Sequence, residues 1–313
     1  MLTYTDAVKP FMIPYFLFTL TLAIGLISLL LLHRASRYKL KESWALLLLS
    51  ISIAGFIALY GAWFYVSVKL KTAFEIVFIV YLAYRLIRGQ KQSGKISVAG
   101  KAGAVCGSLI TGTLIVLYFT GTTGTPHFAD LQFPFKHGHY FVMQGGKGLP
   151  TNLFHYNSRK AVFAMDLIRL NNAGERARHI FSEKLEDYFI FGDTVYSPCK
   201  GTVLRAMDDN PDNTPPERKR GPHNLNGVLI EADKFYVFLG HLKYKSVFVK
   251  AGDTVTPGTP LGIAGNSGFS IEPHLHIQAH RKLDNGKNWY EQEQLFIRFS
   301  GREYLLFQTI QTD

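Results

Sequence analysis

Two cysteines in 313 residues, Cys106 and Cys199, exclude a disulfide-stapled fold. One lies in an apolar stretch and the other in a turn-rich one, so no disulfide is expected and each reads as a free buried thiol. No second cysteine stands near Cys199 to form a zinc-type pair. Acidic residues are scarce in residues 1–125, where Asp6, Glu42 and Glu75 face twelve basic residues, a net +9, while residues 126–313 carry +2. The overall +11 therefore does not call for a nucleic-acid partner. The chain also lacks a Walker loop, a Gly-x-Ser-x-Gly elbow and an HExxH motif. The chain thus shows no signature of a phosphate-binding P-loop or of an α/β-hydrolase nucleophile elbow, and a helix-borne zinc protease site is absent. At 14% aromatic, the chain is not disordered.

What is present first is uncharged length. Phe11–Leu32 and Trp44–Val66 contain no charge, nor does Ala102–Thr120. These runs match or approach the ~20 apolar residues that cross a bilayer. Val66–Ile87 is weaker, with Lys69, Lys71, Glu75 and Arg85 around an apolar centre. It reads as a fourth span, with Lys and Arg snorkelling at its ends and Glu75 paired to Lys71 one turn away. The loops His33–Ser43 and Arg85–Lys101 are strongly basic. The positive-inside rule puts both in the cytoplasm, which requires four helices and leaves both termini outside. A cleaved signal peptide does not suit the first run, which is too long and is followed by further spans.

From Gly121 the composition changes. Turn residues recur every 8–12 positions between short β-rich runs: Tyr140–Met143, Val162–Arg169, Thr202–Ala206, Val228–Glu231, Phe235–Gly240, Ser246–Val249 and His274–Ala279. This spacing predicts an antiparallel sandwich or open barrel over residues 126–313. Gly192-Asp-Thr-Val and Gly252-Asp-Thr-Val repeat one turn and read as a short hairpin used twice. Asp208–Asn224, with four prolines and the basic cluster Arg218-Lys-Arg220, reads as a solvated surface loop.

Eleven histidines are present. His274 and His276 stand at i and i+2 in Pro273-His-Leu-His-Ile277, so on a strand they share a face. Asp166 lies in the apolar run Ala161–Ile168, where a carboxylate is costly unless paired or metal-bound. His241 ends the apolar run Tyr236–Leu242, and His155 precedes the Asp166 strand. Histidine and carboxylate with an open position are the ligand set of a catalytic zinc, which acidifies water and polarises a carbonyl. A neighbouring imidazole can then move the proton. His137 and His139 form another HxH without Gly/Pro framing and read as incidental. His280 could line the cleft, and His179 and His223 read as loop residues.

Here the residues resemble a family. The run from Val249 through Gly265-Asn-Ser-Gly268 to His274-Leu-His276, with Gly240-His241-Leu242, Gly192-Asp-Thr-Val and the pair His155/Asp166, is similar to the lysostaphin-type, LytM-like zinc metallopeptidases that cut peptidoglycan cross-bridges. The resemblance covers about residues 138–280. Its first pair departs from the common HxxxD spacing, since ten residues separate His155 from Asp166. The resemblance implies a duplicated-hybrid-motif β fold with Zn2+ held by His155, Asp166 and His276. It makes His241 and His274 the catalytic histidines that assist water attack and stabilise the oxyanion. The expected whole is a four-helix transmembrane region (1–125) and an extracytoplasmic peptidase domain (126–313) in a bacterial cytoplasmic membrane. Its partners would be the lipid bilayer and peptidoglycan peptides. The alternative is a non-catalytic module that binds the wall or activates another hydrolase; a sensor or transporter has little support, because the helices hold few polar residues.

Overall fold

The computed structural model describes residues 4–88, 94–217 and 224–312. The basic cluster Arg218-Lys-Arg220 and His223 lie outside the described residues. The chain divides into two compact units, one over Met12–Tyr118 and the other over Phe119–Asp313 together with residues 1–11.

The first unit is helical: α1 (Tyr4–Ala35), α2 (Leu40–Tyr60), α3 (Val68–Arg88) and α4 (Val98–Thr120). Pro14–Ala35, α2 and α4 are long and apolar enough to cross a membrane. α3 falls short of that hydropathy because it carries Lys69, Lys71, Glu75, Arg85 and Arg88. The anticipated Lys71–Glu75 pair is present at 3.9 Å. Within the uncharged run to Val66 the α-helix ends at Tyr60, and Trp63–Tyr65 form a short 3-10 turn. A Cβ at position 61 would lie 2.4 Å from the Ile57 carbonyl oxygen, so Gly61 allows a close turn there. Trp63 Nε1 donates to that carbonyl at 2.9 Å, and the Ala62 N–H donates to Thr21 Oγ1 at 3.0 Å. Small residues let the helices approach: Ala35, Ala45 and Ala104 pack with Leu46 in one buried cluster.

The second unit contains β1 (Phe128–Leu131), β2 (Gly138–Gln144), α5 (Leu153–Ser158), β3 (Met165–Leu170), β4 (Thr194–Tyr196), β5 (Gly201–Met207) and β6 (Gly227–Glu231). It continues with β7 (Phe235–Gly240), β8 (Thr254–Val255), β9 (Pro260–Ile263), β10 (Leu275–Arg281), β11 (Gln294–Phe299), β12 (Arg302–Glu303) and β13 (Thr309–Thr312). The sandwich expectation resolves into one eleven-stranded sheet, ordered β13-β2-β3-β10-β7-β6-β5-β8 with β1, β11 and β12 attached through β11, and a separate β4–β9 pair. All pairings among these strands are antiparallel except β1–β11.

Three strand expectations change. Val162–Ala164 are not strand, because Asn152 Nδ2 donates to the carbonyls of Val162 (2.9 Å) and Ala164 (2.8 Å), and β3 starts at Met165. Ser246–Val249 is not a strand either; its backbone tie is the Phe248 N–H to Leu261 O at 2.9 Å, and it follows the left-handed Lys245. The two Gly-Asp-Thr-Val turns do not form two local hairpins. Strand β4 after the first turn pairs with β9 after the second, and β8 from the second pairs with β5 after the first. The repeats thus exchange partners. Gly192 and Gly252 both have positive φ (97° and 93°), which explains glycine at the head of each repeat.

Strand β10 lies between β3 and β7 at the sheet centre. Its Leu275, Ile277 and Ala279 are fully buried, and alternation places His276, Gln278 and His280 on the opposite face. Full burial of each Leu or Ile contributes about 1.5–3 kcal/mol.

Candidate metal and active site

The register of three neighbouring strands builds the site. His276 of β10 pairs directly with Asp166 of β3 on one side and Gly240 of β7 on the other. His241 therefore follows His276's cross-strand partner by one residue. His241 has φ +64°, a left-handed backbone uncommon outside glycine and characteristic of functional turns. Its ring centroid lies 4.5 Å from that of His274 and 5.9 Å from that of His276. The six-residue helix α5 supplies His155, whose ring lies 5.0 Å from that of His276.

Asp166 is the hub. Its Oδ1 lies 3.0 Å from His276 Nδ1 and 3.6 Å from His274 Nε2, and its Oδ2 lies 3.3 Å from His155 Nε2. Among the described residues, His155, Asp166 and His276 form a group whose ligand atoms all lie within 4.8 Å of one another. A tetrahedral ion with bonds near 2.0–2.1 Å holds its donors about 3.4 Å apart, so spacings of 3.0 and 3.3 Å suit such an ion. The donor chemistry, two imidazole nitrogens and a carboxylate oxygen, also suits zinc.

Hydrogen bonds decide which nitrogen each ring presents. A carbonyl or amide oxygen only accepts, so the ring nitrogen facing it carries the proton. His155 Nδ1 donates to Asn152 Oδ1 at 2.9 Å, which leaves Nε2 toward Asp166. His276 Nε2 donates to Gln278 Oε1 at 3.0 Å, which leaves Nδ1 toward Asp166. His241 Nδ1 donates to Ser267 O at 2.6 Å, and His274 Nδ1 to Glu272 O at 2.8 Å, so both present Nε2. Such outer partners orient metal-binding histidines generally.

The electrostatics follow the same contacts. Burial opposes ionisation of Asp166, but the charges of His155 and His274 and hydrogen bonds from His155 and His276 outweigh it and hold the carboxyl well below its usual range. Burial, reinforced by the neighbouring His274 and His276, keeps His241 well below the ordinary imidazole value. For His276, burial is outweighed by the hydrogen bond and charge of Asp166, and its value rises.

His280 does not line the cleft. It is fully buried beneath the Trp289 indole, with ring centroids 5.3 Å apart, and its Nδ1 donates to Gln292 O at 3.2 Å. His137 and His139 are exposed, His179 lies in a turn, and none belongs to the metal-ligand group.

Residues 186–289 match the family described as Peptidase family M23. This segment is an M23 domain. It contains His241, His274 and His276, while His155 and Asp166 precede it. A curated relative, the "Uncharacterized metalloprotease" of Buchnera aphidicola subsp. Baizongia pistaciae (strain Bp), is 36% identical over 87 residues, which are 27% of this chain and 23% of the relative. Similar solved structures include lysostaphin in solution, at 21% identity over 39% of this chain and 38% of that chain, with a TM-score of 0.25. They also include the catalytic domain of the antimicrobial peptidase lysostaphin from Staphylococcus simulans, at 18% identity over 50% and 88% of the two chains, with a TM-score of 0.27. A third is the catalytic domain of the prophage-encoded M23 protein EnpA from Enterococcus faecalis, at 17% identity over 55% and 92%, with a TM-score of 0.28. The chain thus spans well under two thirds of the curated relative and of the lysostaphin chain in the solution structure.

Within the M23 domain, the loop that carries the histidines is tied from below. The described part of the expected loop, residues 208–217, is not simply solvated. Asp212 accepts the Asn266 and Tyr244 N–H groups at 2.6 and 3.1 Å, and buried Asn213 donates to Gly268 O and Ser270 O at 2.6 and 3.1 Å. Gly268, at φ +77°, passes so close to Leu225 that a Cβ would sit 2.3 Å from its Cβ. Sequence reasoning missed Asn152 and Gln278. Asn152 stands three residues before His155, and that helical i, i+3 spacing is the signal that could have found it.

Proposed function

We propose that the protein is a membrane-anchored zinc metalloendopeptidase that hydrolyses peptide bonds in peptidoglycan stem peptides or cross-bridges. The observation that carries this reading is the convergence of His155, Asp166 and His276 beside two further imidazoles, His241 and His274, in a chain with an M23 domain. On this reading His155 Nε2, one Asp166 oxygen and His276 Nδ1 hold Zn2+. A zinc ion held there supplies a Lewis acid that polarises a carbonyl oxygen and acidifies water.

His241 and His274 do the remaining chemistry. Each has Nδ1 committed to a backbone carbonyl and Nε2 presented to the site. His241, kept neutral, accepts the proton of the attacking water at Nε2. His274 acts in this step as the imidazolium, beside the Asp166 carboxylate at 3.6 Å: Nδ1–H stays on the Glu272 carbonyl, and Nε2–H is donated to the substrate carbonyl oxygen as charge develops there. The peptide lies across the β3–β10–β7 face, where these groups converge.

We further place residues 1–125 as a four-span anchor, α3 included, in a bacterial cytoplasmic membrane, and residues 126–313 on the extracytoplasmic side beside the wall. The basic loops on either side of α2 and α3 support that orientation.

Digestion of purified peptidoglycan by the full chain in detergent tests the reading. New amino groups should appear with bound zinc and disappear with chelator. Intact peptidoglycan after incubation with zinc-loaded protein would favour the non-catalytic, wall-binding alternative.

A further inference from the structure

We infer that Arg176 is a positioning residue that holds His274 in register with Asp166, through Glu272. The inference rests on the catalytic role proposed for His274.

Arg176 lies outside the matched family span, on the segment joining β3 to β4. Its guanidinium is almost wholly buried and grips the largely buried Glu272 carboxylate. Nε donates to Oε1 and Oε2 at 3.1 and 3.2 Å, and Nη2 donates to Oε2 at 3.1 Å. Nη2 also donates to Ile180 O at 2.9 Å, which fixes the fork to its own segment. That segment is itself braced: Ala177 bridges Tyr188, and the Phe189 N–H donates to Arg176 O at 3.1 Å. The buried Tyr188 hydroxyl donates to Ser182 O at 2.9 Å.

Glu272 turns this anchor toward the site. Its backbone carbonyl accepts the His274 Nδ1–H at 2.8 Å and the Ser270 hydroxyl at 2.8 Å. Ser270 Oγ also contacts His274 Nδ1 at 3.2 Å, and buried Asn213 holds the Ser270 carbonyl. Ile271–His274, directly before β10, carry no strand pairing, since the strand begins at Leu275. His274 would therefore swing with its loop if Glu272 were loose. A planar, two-point Arg–carboxylate grip fixes direction as well as distance, which a lysine cannot do. An ion pair used only for stability is replaceable by apolar residues of similar size, often without loss. A pair used for positioning is not.

Two variants of the full chain in detergent test this. The paired Arg176→Met/Glu272→Leu variant removes both buried charges, so no lone charge remains. Arg176→Lys keeps the charge and loses the fork. Two readouts apply. One is the His274 Nδ1–H proton resonance in histidine-labelled protein, assigned by its loss in His274→Gln. The other is the maximal rate and half-saturating concentration for amine release from purified peptidoglycan. In the paired variant the resonance should broaden into solvent exchange, and the maximal rate should fall about ten- to a hundredfold with half-saturation within about threefold. Arg176→Lys should recover part of both. An unshifted resonance with an unchanged maximal rate in the folded paired variant overturns the inference. If that variant does not fold, Arg176→Lys decides on the same readouts. If the wild type releases no amine, the hydrolase reading falls, and the resonance still decides the positioning.

Discussion

Asn152→Ala separates metal binding from folding. Asn152 is fully buried and makes three hydrogen bonds with its amide: Oδ1 accepts from His155 Nδ1, and Nδ2 donates to the Val162 and Ala164 carbonyls. Truncation removes all three at about 1 kcal/mol each, so the metal-free protein should lose about 3 kcal/mol, or about 6–12 °C in Tm. It also frees the His155 ring to rotate and to carry its proton on either nitrogen. Losing an orienting partner of this kind weakens a metal by about 10- to 100-fold. At fixed zinc, the stabilisation gained on loading should then shrink by about 1.4–2.7 kcal/mol. The assay is a pair of melts, zinc-loaded and chelated, with an independent affinity from competition with a chromophoric chelator. If the chelated Tm drops as expected while zinc affinity stays within about twofold of wild type, Asn152 is a clamp on the start of β3 and does not set the His155 ring.

Three further outcomes are expected. His241→Ala and His274→Ala should each cut amine release from peptidoglycan by about 10²- to 10⁴-fold while zinc stoichiometry by atomic absorption stays near that of wild type; loss of zinc in either would make that histidine a ligand. Cys199 is buried, and burial pushes its thiol up to about 12, so in a Cys106→Ser background the native protein should resist iodoacetamide at pH 8 and react once unfolded; rapid native labelling would contradict its burial. Alkaline-phosphatase fusions should be inactive after Arg37 and Lys95 and active after Val66 and Asp313, and an active fusion after Lys95 would remove α3 from the set of spans.

The contrast between what was legible in the sequence and what was not follows the range of the interactions. Uncharged runs announced α1, α2 and α4 because the bilayer criterion is local, and α3 was ambiguous for the same reason. Asp166, His241, His274 and His276 stood out because each interrupts or frames an apolar strand run. The partner exchange between the two Gly-Asp-Thr-Val turns was not legible: both turns look alike, and pairing between strands some sixty residues apart leaves no local trace. The β3 boundary failed similarly, since the amide that takes the Val162 and Ala164 carbonyls comes from Asn152. The Arg176–Glu272 grip spans 96 residues of sequence, and nothing near either residue marks it. His280 was misplaced because Trp289, from the following loop, covers that end of β10.

The exchange of partners between the two turns also sets an order of assembly. Thr194–Tyr196 has no sheet neighbour until Pro260–Ile263 has been made, and Thr254–Val255 closes on a strand finished long before it. The proposed donor set shares this schedule, because His155 and Asp166 come early and His276 comes more than a hundred residues later. A nascent chain of 166 to 275 residues offers a metal two of the three donors. The site is thus completed among the last events in the synthesis of the domain, after the central strands have something to pair with.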